Sequence, residues 1–343
     1  MKKQFNRFKS IKRGFYSFFI LLVMILVSFF AEIFINSKAL LVYYNGKLYL
    51  PTYTKIIPGS VFDLGYDYET NYKELQAKFK NNSSLFKGFL IMPPIPYNPY
   101  ENDLKTNSYP PFAPSFSDRH FFGTDNAGRD VFARLVYGFR TAILFSFCLL
   151  IINYTIGISI GCLMGYFGGK FDLVFQRIIE IWTNIPFLYV IIIIASITIP
   201  NFFVLLLIMA VFGWIGITWV MRTITYKEKQ KEYILAVRSL GASDTRIIFK
   251  HIIPNTISII VTYAPFAISG GIIALTSLDY LGFGLPAPTP SWGELLSQGW
   301  QNMEAWWIAV SVVMALIITL MIVTFIGEGI REAFDPKLHS FYE

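Results

Sequence analysis

Cysteine and charge are what this 343-residue chain has least of. It holds two cysteines, Cys148 and Cys162, and only 15% of its residues are charged. The two thiols share one apolar run, where helical geometry sets them roughly 21 Å apart at 1.5 Å per residue. That excludes a disulfide between them within one helix. Neither belongs to a Cys-x-x-Cys pattern, so redox and zinc chemistry have no footing, and both read as packing residues. Also missing is a Gly-x-x-x-x-Gly-Lys-Ser/Thr loop. The Gly-Gly-Lys-Phe at 168–171 lacks the spacing and the hydroxyl that hold phosphates and Mg²⁺. Any ATP hydrolysis is therefore expected on another chain.

Scarce charge, with 54% hydrophobic residues and a mean hydropathy of +0.50, excludes an ordinary soluble domain. The formal net charge of +7 is one a nucleic-acid binder could share. Here, however, the basic residues stand in blocks beside apolar runs, the pattern of membrane topology. No nucleic acid is expected as a partner.

Six apolar runs reach the roughly 20 residues that a crossing needs: Phe15–Ile35, Thr141–Gly165, Ile181–Ile199, Phe202–Met221, Thr256–Leu278 and Ala305–Ile326. The last five contain no Asp, Glu, Lys or Arg. The opening MKKQFNRFKSIKRG carries six basic residues and no acid, which assigns the N-terminus to the cytoplasm. A signal peptide is the competing reading, but the run exceeds an h-region and no small-x-small site follows. Counting on, the segments after spans 2, 4 and 6 fall inside. The segment after span 4 bears Arg222, Lys227, Lys229, Lys231, Arg238, Arg246 and Lys250. The expected organisation is a cytoplasmic N-terminus at 1–14, span 1 at 15–35, an extracytoplasmic insertion with an elbow at 36–140, a core at 141–327 and a cytoplasmic tail at 328–343. The fold class is all-α and six-spanning, with both termini cytoplasmic.

Within the insertion, the Asn-Gly of LLVYYNGKLYLP predicts a β-hairpin turn and a small appendage containing strands. Before span 2, HFFGTDNAGRDVFARLVYGFR sets Val131, Leu135 and Phe139 on one helical face with Arg134 off it. This predicts an amphipathic helix at the membrane surface feeding the span. A metal reading of Asp125, Asp130 and His120 matches no EF-hand loop, so capping and turn roles are expected for these acids. GFGLPA (282–287) formally fits Gly-x-Gly-x-x-Ala, yet it follows a span and contains Pro286, which argues against a dinucleotide fold. It reads as an external turn leading to the amphipathic SWGELLSQGW. Gly157, Gly161 and Gly165 recur at i, i+4, i+8, and Pro186 lies within span 3. Both suit close, adjustable helix packing, or equally static packing.

The most polar segment is EYILAVRSLGASDTRIIFKHIIPN, Glu232–Asn255, within the predicted internal loop 223–255. KEKQKEYILAVRSL suits a helix that Gly241 stops in a left-handed conformation. Ser243 then caps a second helix, with Asp244 in its first turn, and Pro254 is expected to end it before span 5. An ordinary loop tidied into two helices is the plain reading. Gly241 and Ala242 also leave the backbone open to close approach by another surface.

This segment resembles the coupling (EAA) loop of ABC importer permeases, at Glu232, Tyr233, Ala236, Arg238, Leu240, Gly241, Ala242, Ser243, Arg246, His251, Pro254 and Asn255. Val237 departs from the motif's second alanine. FGTDNAGRDV resembles the segment that precedes the core spans of the dipeptide/oligopeptide branch, through Gly123, Thr124, Asp125, Gly128, Arg129 and Asp130. LDYLGFGLPAPTPSWGELLSQG resembles the branch's signature between the last two spans, including Gly282, Gly284 and Pro286. The long Pro-rich insertion is most similar to Yej-type peptide permeases. The resemblance implies a type I importer permease of the bacterial inner membrane, for peptides or peptide antibiotics. It implies a homologous permease, cytoplasmic ATPase subunits that carry ATP and Mg, and a periplasmic peptide-binding protein as partners, with lipid around the spans. No catalytic, cofactor or metal site is expected in this chain. An ion-coupled secondary transporter would carry ionisable groups within its spans, and a membrane-anchored scaffold or sensor would not need such a hairpin.

Overall fold

The computed structural model describes residues 2–81, 88–104 and 108–334. Most of the predicted tail lies outside the described residues. The order of elements is α1 (Lys2–Ser10), α2 (Lys12–Phe29), α3 (Ala31–Phe34), β1 (Leu41–Tyr44), β2 (Lys47–Tyr49), α4 (Tyr72–Asn81) and β3 (Gly88–Ile91). The long helical part follows with α5 (Val131–Phe167), α6 (Gly169–Thr183), α7 (Phe187–Ile197), α8 (Phe202–Gly213), α9 (Ile215–Glu228) and α10 (Glu232–Ser239). It ends with α11 (Asp244–Ile247), α12 (Ile253–Tyr280), α13 (Trp292–Gln301) and α14 (Trp306–Phe334). Among the described residues, five helical stretches are long and apolar enough to cross a membrane, or six if the bent pair α6–α7 counts as one.

Packing divides the chain into two units, Met1–Leu21 with Ala142–Pro286 and Ile318–Glu343, and Leu22–Thr141 with Ala287–Ile317. In the second unit the expected hairpin is present. Asn45 (φ 48°) and Gly46 (φ 78°) form its turn, and Tyr44 pairs with Lys47. β3 joins the other edge of β1, antiparallel. Val42 and Tyr44 point to one side, where they pack with Phe62, Tyr72, Leu75 and Phe79. α4 supplies three of those residues, so the small sheet has one helix-covered face.

In the first unit the glycine stripe of α5 is a helix-packing seam. A Cβ at Gly157, Gly161 or Gly165 would lie 2.5 Å from the carbonyl oxygen of Trp214, Thr218 or Arg222 respectively. Each step of four on α5 thus meets a step of four on the segment from Trp214 through α9, and only glycine permits that approach.

Several expectations are corrected. The elbow helix and span 2 are one 37-residue helix, α5, because no proline or paired break separates them. At 1.5 Å per residue it extends roughly 55 Å, well beyond a bilayer core of about 30 Å. Span 3 is not straight. α6 and α7 bend by 65° around Pro186, whose ring removes an N–H and blocks continuation. Helix α9 stops at Glu228, and a turn through Lys229–Lys231 precedes α10, so KEKQKEYILAVRSL is not one helix. The Lys229 ammonium is drawn to the Tyr166 carbonyl, 3.0 Å away. Finally, Pro254 does not end the second hairpin helix. A π-helical stretch, Ile248–Ile252, carries it into α12, so Asp244–Tyr280 is continuous. Pro254 stands in the first turn of α12, where the wider π turn accommodates its missing N–H.

Candidate functional site

The hairpin is seated by apolar contacts. Ile234 of α10, Ile247 of α11, and Ile248 and Ile252 of the π turn are buried in one cluster. The cluster continues through Cys162 and Tyr166 of α5, Ile217 and Met221 of α9, and Ile260 of α12. Burying each isoleucine contributes about 1.5–3 kcal/mol. Polar ties sit at the rim: the Tyr166 hydroxyl donates to Asp244 Oδ1 at 2.6 Å, and the Tyr233 hydroxyl donates to Glu228 Oε2 at 2.8 Å. The hairpin is therefore packed against α5, α9 and α12 together.

The turn has the predicted chemistry. Gly241 adopts φ +77° with nothing within 4 Å of where a Cβ would stand. Ser243 caps α11, its hydroxyl accepting from the Arg246 N–H at 3.4 Å. Glu232, Ala236, Arg238, Arg246 and Pro254 are exposed, whereas Ala242 is half-buried and packs onto the cluster. Beneath the hairpin, Arg238 and Lys229 line a cavity of about 460 Å³ with Tyr166 and Asp244.

Sequence reading named Glu232, Ala236 and Leu240 but not the stripe they form with Leu235 and Ser239. Glu232, Leu235, Ala236, Ser239 and Leu240 are all exposed, at positions i, i+3, i+4, i+7 and i+8, which form one stripe. Leu240 is 86% exposed. The signal was available as an apolar pair, Leu235 and Leu240, out of phase with buried Ile234.

The GTDNAGRDV motif lies in the other unit and is built from charge. Asp125 is fully buried. Its Oδ1 accepts from the Ala127 and Arg129 N–H groups at 2.9 Å each, and its Oδ2 accepts from Arg129 Nε at 2.7 Å. Arg129 Nη2 also donates to Glu294 Oε1 of α13 at 2.8 Å. Arg134, placed off the apolar stripe by sequence, is instead completely buried. It pairs with Glu294 and donates to the Pro99 and Pro288 carbonyls at 3.0 and 3.2 Å. Two arginines thus face two carboxylates, and Glu294 and Arg134 are members that sequence reading did not assign.

Gly123 (φ +71°) and Gly128 (φ +81°) make the turns around this cluster, and Thr124 is buried, accepting from the Phe112 N–H at 2.7 Å. Asp130 caps α5 through the Ala133 N–H at 2.7 Å, while its Oδ2 meets His120 Nδ1, also at 2.7 Å. Asp103 lies 3.0 Å from the other ring nitrogen, and Tyr97 stacks on the ring at 3.9 Å. Burial opposes a charge on His120, but the two carboxylates outweigh it and raise its pKa. The His120 contact correspondingly lowers that of Asp103. Asp125 turns the chain and Asp130 caps α5, the roles sequence assigned them, and each also pairs, with Arg129 and His120 respectively. The outer turn behaves similarly: Gly282 is left-handed (φ +81°), Gly284 lies against Asp279, and Pro286 closes the segment. SWGELLSQGW does form an amphipathic helix, but Glu294 faces inward to the arginines.

Residues 157–340 match the family described as the binding-protein-dependent transport system inner membrane component. The chain is 38% identical to the inner membrane ABC transporter permease protein YejE of Escherichia coli, over 96% of this chain and 95% of that protein. It is 36% identical to the peptidoglycan transport system permease protein YejE of Agrobacterium fabrum, over 98% and 93%. It is also 36% identical to the oligopeptide transport system permease protein OppC of Haemophilus influenzae, over 66% and 73%. A set of long apolar helices, a seated polar hairpin and these matches lead to one assignment: the chain belongs to the inner-membrane permeases of binding-protein-dependent ABC transport systems.

Proposed function

We propose that this permease is the translocating subunit of a peptide importer and that its hairpin, Glu232–Asn255, docks on a separate ATPase subunit. The exposed stripe of α10, ending at Leu240 and the open Gly241 turn, carries this reading. It is an apolar and small-residue face that a groove can accept, set on a base keyed to three membrane helices. ATP and Mg belong to that ATPase, and a homologous permease completes the path. An extracytoplasmic binding protein delivers peptide, and both termini lie in the cytoplasm.

Coupling follows from the packing. Closure of the ATPase biases the hairpin, and the cluster around Ile234, Ile247 and Ile252 passes that bias to α5, α9 and α12. A helix bundle with two packings then changes which side is open. The peptide cargo is supported by the names of the relatives, which include oligopeptide permeases. Vesicles containing the full importer, with ATP on the ATPase side, should accumulate radiolabelled peptide delivered by the binding protein. This chain alone should neither hydrolyse ATP nor accumulate peptide, and turnover by the purified chain would overturn the reading.

A further inference from the structure

The start of the chain and the end of its last helix enclose an apolar slot of about 340 Å³. Its walls include Phe5, Phe8, Phe15 and Phe19, with Ile330 and Phe334 opposite. At Gly14 and Gly329 the two walls nearly touch, since a Cβ on Gly14 would lie 3.0 Å from the Gly329 Cα. Phe18 and Phe19 line the slot and also belong to the exposed apolar surface of α2, with Ile20, Val23 and Leu26. The slot is therefore continuous with a surface that faces hydrocarbon in a membrane.

Basic residues alternate in sequence with the aromatic residues that line the slot. Lys9, Lys12 and Arg13 are exposed and Arg7 is half-buried. None of the four pairs with a carboxylate among the described residues, although Glu328 and Glu332 are exposed on α14. The Lys9 ammonium lies 5.0 Å over the Phe5 ring, so an aromatic wall of the slot and a free cation occupy one place. Gln4 adds a polar mark, because its buried Oε1 has no donor among the described residues. An aromatic face with unneutralised basic residues beside it is the chemistry of an anionic bilayer interface.

We propose that this slot holds an acyl chain of an anionic phospholipid, whose headgroup is met by Arg7, Lys9, Lys12 and Arg13. A glycerol-type headgroup also brings a hydroxyl that can donate to Gln4 Oε1. The lipid fills a gap that the chain's own aromatic residues leave open, and it anchors the first helix against the last.

The test uses the complete importer, reconstituted in equal parts phosphatidylglycerol and phosphatidylcholine. A photoreactive benzoylphenylalanine replaces Phe5 in one preparation. In a control it replaces Phe203, an exposed α8 residue with no basic neighbour in its helix. Mass spectrometry then identifies what is attached. At Phe5 the phosphatidylglycerol adduct should exceed the phosphatidylcholine adduct about fivefold or more, with near parity at Phe203. Changing R7Q, K9Q, K12Q and R13Q together should bring the Phe5 ratio toward one. Parity at Phe5 would overturn the proposal. So would attachment mainly to the partner permease or to this chain's own residues 335–343.

Discussion

The hairpin and the GTDNAGRDV elbow are both motif segments, but opposite forces hold them. The hairpin rests mainly on isoleucines, with the Tyr166–Asp244 and Tyr233–Glu228 contacts at its rim. The elbow is locked by an ion cluster of buried Asp125, Arg129 and Arg134 with half-buried Glu294. Apolar packing is tolerant of direction and lets a seated element rock and repack. A buried ion cluster does not tolerate displacement, because each partner that leaves strands a charge. Under the proposed function, the contrast sets a part that receives motion against a part that fixes geometry.

The sharpest way to break that contrast is Arg134→Ala, which removes one of the two arginines that face buried Asp125 and half-buried Glu294. It should cost about 3–5 kcal/mol, read as a large fall in thermal midpoint, whereas Arg134→Met should cost less. Equal losses for the two would mean that packing, not charge, holds the elbow. Ile247→Ala, under the hairpin, should cost about 2–5 kcal/mol. Unlike the elbow change, it should also loosen ATP hydrolysis from peptide uptake in the assembled importer. Gly161→Ala puts a methyl against the Thr218 carbonyl and should cost about 1–3 kcal/mol. An alanine that leaves the thermal midpoint unchanged would show that the α5–α9 seam is looser than the geometry indicates.

A smaller effect sets the two regions apart by pH. The His120 pKa is raised in the folded state, so its contribution is fully present below the unfolded value of about 6.5. It is lost as pH rises through the raised folded value. Asp103, whose pKa is lowered, contributes above its unfolded value of about 3.9, and that is lost as pH falls through the lowered one. The thermal midpoint should therefore decline as pH climbs above about 6.5 and through the raised folded value, and His120→Gln should flatten this decline. A decline that persists in full in the variant would assign it to another group.

Much of this was legible in residues. The hairpin's turn at Gly241, its Ser243 cap and the Asn45-Gly46 turn depend on local stereochemistry, which sequence reports directly. The Arg134–Glu294 pair was not legible, since 160 residues separate the partners and an arginine off an apolar stripe reads as solvent-facing. The bend at Pro186 was half-legible: the proline marks a break, but neighbouring packing decides its angle. The π turn before Pro254 was hidden because hydropathy does not distinguish a helix that stops from one that widens and continues.

The claim that the exposed stripe of α10 meets the ATPase is tested most directly by cysteine crosslinking in the assembled importer. A cysteine at Leu240 should crosslink to a cysteine lining the ATPase groove, with a yield that changes when ATP is added. A cysteine at Ile234, buried on the opposite face, should not. Crosslinking at neither position, or equally at both, would contradict the account.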